Sequence, residues 1–121
     1  MKPLYAYPDQ VLGIKSAITF TINLTTALGS SETLSSISGT DSYGNVRGAS
    51  VSDSELQFET PVINTGTVTS RRTGEVIAVG KAIQIRLIGF ECKPGKDYTV
   101  TIVVGTSASD TLVVMQKVTA V

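Results

Sequence analysis

Apolar and polar side chains alternate along most of this chain with a period of two, the signature of strands that pack one face on a core and leave the other wet. The plainest case is Lys93-Pro94-Gly95-Lys96-Asp97-Tyr98 running into Thr99-Val100-Thr101-Ile102-Val103-Val104. Tyr98, Val100, Ile102 and Val104 share one face, so this stretch is expected to be a central strand. Ile18, Phe20, Ile22 and Leu24 alternate with polar partners near the amino end, and Ile83, Ile85 and Leu87 alternate with Gln84 and Arg86 over Ala82 to Ile88. Thr111 to Val121 predicts the last strand, with Leu112, Val114 and Val118 inward and Gln116 breaking the register.

Weaker signals fill the middle. Leu34 and Ile37 stand three apart, which predicts a weak or bulged strand. Ser38 to Ser54 reads as loop, because Gly39, Asp41, Gly44, Asn45 and Gly48 supply turn chemistry while Val46 and Val51 alone offer burial. Leu56 and Phe58 then alternate with Glu55, Gln57 and Glu59, a half-buried strand ending at Pro61 with the latter three on its wet face. Val62 to Ser70 and Glu75 to Val79 flank Arg71-Arg72-Thr73-Gly74, the pattern of a hairpin.

Strands recurring about every ten residues, with no helical period and no strand-helix-strand spacing, predict an all-β, immunoglobulin-like antiparallel sandwich of about seven to nine strands. A tyrosine just after a Pro-Gly turn, at the start of the penultimate strand, has the sequence shape of a tyrosine corner. Tyr98 and Gly95 are therefore the fold-critical positions. The Tyr98 hydroxyl is expected to bond back to the connecting turn while its ring packs on the core. Residues 1–10 hold Pro3 and Pro8 with Tyr5 and Tyr7 between them, which favours an extended amino-terminal arm ahead of a sandwich domain over residues 11–121.

Composition narrows the function classes. The 121 residues suffice for one core. Ten basic and ten acidic side chains cancel, so the field that draws in nucleic acid or an anionic membrane is missing. No apolar run approaches the roughly 20 residues of a spanning helix, and Lys2 has no apolar segment behind it to make a signal peptide. Synthesis in a reducing cytoplasm is the expectation, and the lone Cys92 has no partner within the chain. With no histidine, the commonest general base and the commonest metal ligand are both lacking. A non-enzymatic protein without a cofactor or metal is expected.

Candidate chemistry fares accordingly. Gly74-Glu75-Val76-Ile77-Ala78-Val79-Gly80-Lys81-Ala82 approximates a phosphate-binding loop, but its glycines are one residue too far apart and Ala82 stands where a hydroxyl must reach magnesium. Asp41, Asn45 and Asp53 lack the spacing of a calcium loop and read as turn residues. Asn23-Leu24-Thr25 fits a glycosylation acceptor, yet it lies within a strand. Cys92 has only Lys93 beside it to stabilise a thiolate and reads as structural. Partner contacts are the better prospect: Tyr5 and Tyr7 of the arm, Tyr43 of the long loop, and Arg71 and Arg72 at the hairpin tip.

Several short segments resemble one family, the small immunoglobulin-like virion proteins of tailed bacteriophages, some of which are fibre-to-tail adaptors. The segments are Pro8-Asp9-Gln10-Val11-Leu12 before the strand at Ile18, Gly29-Ser30-Ser31-Glu32-Thr33-Leu34-Ser35-Ser36, Ile63-Asn64-Thr65, Gly80-Lys81-Ala82-Ile83, Pro94-Gly95-Lys96-Asp97-Tyr98, and Thr106-Ser107 before the closing strand. The chain departs from the pattern after Val11-Leu12, where Gly13 and Ile14 replace an aromatic residue. The resemblance implies a structural component of the virion, an adaptor joining virion proteins at the tail or fibre junction, with capsid decoration as the alternative. It implies tail, fibre or capsid subunits as partners, several copies in a symmetric assembly, and no catalytic residues. A carbohydrate-binding module is the reading from another class, with Tyr5, Tyr7 and Tyr43 as its available platforms.

Overall fold

A computed structural model describes residues 3–5, 10–13, 15–40, 46–70 and 73–121, the side chains of 3–5, 10–11, 39–40 and 46–47 excepted. In chain order the strands are β1 (Pro3–Tyr5), β2 (Gln10–Leu12), β3 (Ala17–Asn23), β4 (Leu34–Ile37), β5 (Gly39–Thr40), β6 (Val46–Gly48) and β7 (Ser50–Val51). There follow β8 (Gln57–Phe58), β9 (Val62–Ile63), β10 (Val68–Thr69), β11 (Val76–Ile77), β12 (Ala82–Ile88), β13 (Asp97–Thr106) and β14 (Thr111–Ala120). One 3-10 turn, Thr25–Ala27, follows β3.

The two longest alternating stretches pair with each other. β13 and β14 form an antiparallel ladder from Asp97 opposite Thr119 to Gly105 opposite Thr111. β4 and β7 add to the other side of β13, and β1 and β2 add to β14. The second sheet is centred on β12, with β3 along one side and β8 and β9 along the other. The inward faces meet in one core: Ile22, Phe58, Ile83, Ile85 and Leu87 from one sheet pack with Leu34, Tyr98, Val100, Ile102, Val104, Val114 and Val118 from the other. The chain is an all-β sandwich, as its periodicity predicts.

Four local expectations need correction. β1 and β2 run parallel to β14, so the sandwich is not antiparallel throughout. A first and a last strand joined by no hairpin are free of the turn that would force opposite directions. Residues 38–54 are not all loop, since β5, β6 and β7 lie within them. Strands of two or three residues are too short to register as a period. Gln116 does not break the register of β14. It sits on the inward face, 3% exposed, where its Nε2 donates to the Lys117 carbonyl. The anticipated hairpin is shorter than its flanks: Val68–Thr69 pairs with Val76–Ile77, whereas Val62–Ile63 joins β12. The bulge expected near Leu34 and Ile37 is present as a register shift between Gly105 and Thr106 on the facing strand.

Candidate functional site

Between β12 and β13, and facing them between β7 and β8, two connections meet at one end of the sandwich. Lys93-Pro94-Gly95-Lys96 closes with the Lys96 amide donating to the Lys93 carbonyl at 3.2 Å and with Gly95 at φ +80°. Proline second and a positive-φ glycine third are the requirements of a type II turn. The turn is also laced to the end of β14: the Gly95 amide donates to the Ala120 carbonyl at 2.7 Å, and the Ala120 amide to the Lys96 carbonyl at 3.0 Å. On the facing connection the Asp53 carboxylate accepts the Glu55 amide at 2.9 Å, the local turn that aspartate side chains favour. Leu56 is buried just beyond, which anchors the connection and brings the Glu55 side chain inward.

This arrangement assembles a charged cluster around Tyr98. The Tyr98 hydroxyl accepts the Lys93 amide at 3.0 Å and donates to the Glu55 carboxylate at 2.8 Å. Its ring is buried in the core, so the corner expected from the sequence is formed, with an acceptor that the sequence did not suggest. Lys96 Nζ lies 2.8 Å from Asp53 Oδ2, 2.9 Å from Glu55 Oε1 and 5.3 Å from the centroid of the Tyr98 ring. Lys93 Nζ is 3.3 Å from Glu55 Oε2, and Cys92 Sγ lies 3.7 Å from the Glu55 carbonyl. Glu55 was expected on a wet strand face. It is instead the residue on which both lysines and the tyrosine converge.

The ionisation of the cluster limits its chemistry. The bond from Lys96, then that from Tyr98, hold the Glu55 carboxyl below its ordinary range. Lys96, then the Glu55 amide, do the same for Asp53. Asp53 and then Glu55 raise Lys96. Burial raises both the Cys92 thiol and the Tyr98 phenol. Every shift carries its group's titration further from neutral pH: the carboxylates stay ionised, the ammonium protonated, and the thiol and phenol uncharged. A general base poised near neutral pH, or a thiolate nucleophile, requires shifts in the opposite direction.

Two further polar residues are buried and serve the backbone. Lys81 Nζ donates to the carbonyls of Gly29, Ser30 and Glu32, which closes the turn before β4. That is the role of the lysine in the glycine-rich stretch, and it leaves the phosphate-loop reading without its cation. Asn64 donates to the Gly66 and Ala78 carbonyls and accepts the Ala82 amide, tying the base of the β10–β11 hairpin to β12. Glu32 completes this end, accepting the Gly29 amide and the Thr106 hydroxyl. Neither Lys81 nor Asn64 stands out by type or spacing; only the adjacent glycines hint that polar side chains are needed there.

Of the residues singled out from the sequence, Tyr98 and Gly95 come together in the corner. Tyr5 ends β1, beside Met115 of β14. Tyr7, Tyr43, Arg71 and Arg72 lie outside the described residues, as do Asp41 and Asn45. Asp53 is engaged by Lys96. Among the described residues no group of three or more Cys, Asp or Glu side chains is placed to hold a metal ion, and no helix is long and apolar enough to cross a membrane. Comparisons with protein families, with curated proteins and with solved structures find no match.

Proposed function

We propose that this chain is a non-enzymatic, immunoglobulin-like structural module of a bacteriophage particle, an adaptor that joins virion proteins at the tail or fibre junction. The observation that carries the non-enzymatic part is the commitment of the polar side chains. Glu55, Asp53, Lys96, Lys81 and Asn64 bind backbone or one another, in ionisation states that favour holding turns over moving protons. The strand order supports the immunoglobulin-like part. One sheet runs β4-β13-β14 with the amino-terminal strands alongside in parallel, the other runs β3-β12 and then β8 and β9, and the corner tyrosine opens the penultimate strand. The virion role rests on the sequence resemblance, and a sandwich in which, among the described residues, the outer side of β3 has no paired strand suits it.

Quantitative mass spectrometry of purified particles tests this reading. An adaptor is expected at a copy number set by the low symmetry of the tail. A copy number approaching that of the capsid subunits would reassign the protein to decoration, and absence from the particles would overturn the virion role.

A further inference from the structure

Strand edges decide what a sandwich joins, and one edge here is unlike the rest. β3 pairs with β12 through seven consecutive positions, Ala17 opposite Ile88 to Asn23 opposite Ala82, without a bulge. Among the described residues no strand pairs with its other side. Natural edges are normally blunted by charge, proline, bulges or shortness. β8 and β9 are two residues each and β4 faces a register shift. β3 reads Ala-Ile-Thr-Phe-Thr-Ile-Asn, with none of these devices.

The direction of its backbone groups follows from bonds at its ends and on its neighbour. The Leu24 amide donates to the Lys81 carbonyl at 2.8 Å, and the Gly89 amide to the Ser16 carbonyl at 2.8 Å. Even-numbered positions therefore point their amides and carbonyls at β12. Odd-numbered ones do not, because their partners on β12 are engaged elsewhere. The carbonyl of Arg86, opposite Thr19, accepts the Glu59 amide. Ala82, opposite Asn23, exchanges bonds with Asn64. Ala17, Thr19, Thr21 and Asn23 thus aim their backbone groups outward.

These four positions are self-complementary. We propose that the free edge of β3 is a homodimer interface, in which two copies join their strands antiparallel about a two-fold axis at Phe20. In that register Ala17 meets Asn23 of the second copy and Thr19 meets its Thr21, each twice, giving about eight backbone hydrogen bonds at two per bonded pair. On the core side Phe20 meets its own copy and Ile18 meets Ile22. Ile18 and Phe20 are only partly buried in the single chain, and the second strand covers them. On the outer side Thr19 and Thr21 form β-branched cross-strand pairs. An uncharged strand in a chain of zero net charge has nothing to repel its copy, and a self-matching patch is what a two-fold dimer requires. This proposal stands whether or not the protein belongs to a virion.

Light scattering on the full chain is expected to give twice the 12.7 kDa chain mass, and a single-chain mass up to millimolar concentration would overturn the proposal. The register is tested by Thr19→Glu with Thr21→Glu, which sets like charges opposite each other at both pairs. The expected result is a folded monomer, and a folded dimer would overturn it. Thr19→Glu with Thr21→Lys sets opposite charges there and is expected to stay dimeric; a monomer would overturn the register. Position 19 also faces Arg86 within the chain, so a glutamate there does not burden the fold. Hydrogen exchange on the unaltered protein gives an independent reading. The amides of Thr19 and Thr21 should slow by on the order of tenfold or more as concentration rises, while Phe20 is already protected by β12. Exchange of Thr19 and Thr21 that does not change with concentration would overturn the dimer.

Discussion

Tyr98 concentrates more of the fold in one side chain than any other position in the corner. Its hydroxyl satisfies the Lys93 amide and a carboxylate at once, so Tyr98→Phe leaves a backbone donor and Glu55 short of a partner. The expected loss is about 1–3 kcal/mol, measured as a shift in urea midpoint with unchanged slope. A neutral result would mean that water replaces both bonds. Contacts to carboxylates, in this corner and elsewhere, set the response to acid. Glu55, Asp53, Glu32 and Asp97 all have folded pKa values below their ordinary ones, so the unfolded chain binds more protons as pH falls. Their contribution is whole above the ordinary values of 4.5 for glutamate and 3.8 for aspartate and is lost as pH drops through the lower folded values. Glu55→Gln should flatten the stability decline as pH falls from the ordinary glutamate value of 4.5 through the lower folded value, and an unchanged slope would remove Glu55 from that account. Tyr98 was legible because the Pro-Gly-x-x-Tyr spacing is local. Glu55 was not, because its place depends on Lys96 and Tyr98, some forty residues away, while its own neighbours spell a simple wet strand face.

Turns and strands differ in how openly they declare themselves. β3, β12, β13 and β14 were readable because seven to ten residues of alternation are hard to mistake. β5, β6 and β7 were hidden because two or three extended residues leave no period; β5 and β6 pair with each other, and the partner of β7 is β13, far along the chain. The glycines make a sharper test. Gly95 and Gly48 both sit near φ +80°, but a methyl group on Gly95 meets nothing, whereas on Gly48 it would come within 2.8 Å of Pro61 Cδ and 3.3 Å of Ile37 Cγ2. Gly95→Ala should therefore cost about 1–2 kcal/mol for backbone conformation alone. Gly48→Ala should cost that and a further 1–3 kcal/mol or so of overpacking against a stiff ring. Equal losses in thermal melts would show that Pro61 moves aside freely.

Across the whole chain, fold class was legible and topology was not. Period and composition give strands and a core, but the choice that sets β1 and β2 parallel to β14 is a contact between opposite ends of the chain, which no local pattern encodes. That choice has a mechanical consequence. Pulling residue 3 away from residue 121 drags β1 and β2 backwards along β14 while β14 is drawn forwards, so the parallel ladders from Pro3 opposite Val113 to Leu12 opposite Ala120 are loaded in shear. Bonds loaded side by side must yield together. Pulling instead on Ala17 and Ile88, which pair at one end of the β3–β12 ladder, opens bonds one after another. Single-molecule stretching is expected to find the first geometry the stronger of the two, and equal rupture forces would show that the parallel ladders bear no load. A chain strapped in this way resists tension along the line of its two ends while still being easily peeled from the side.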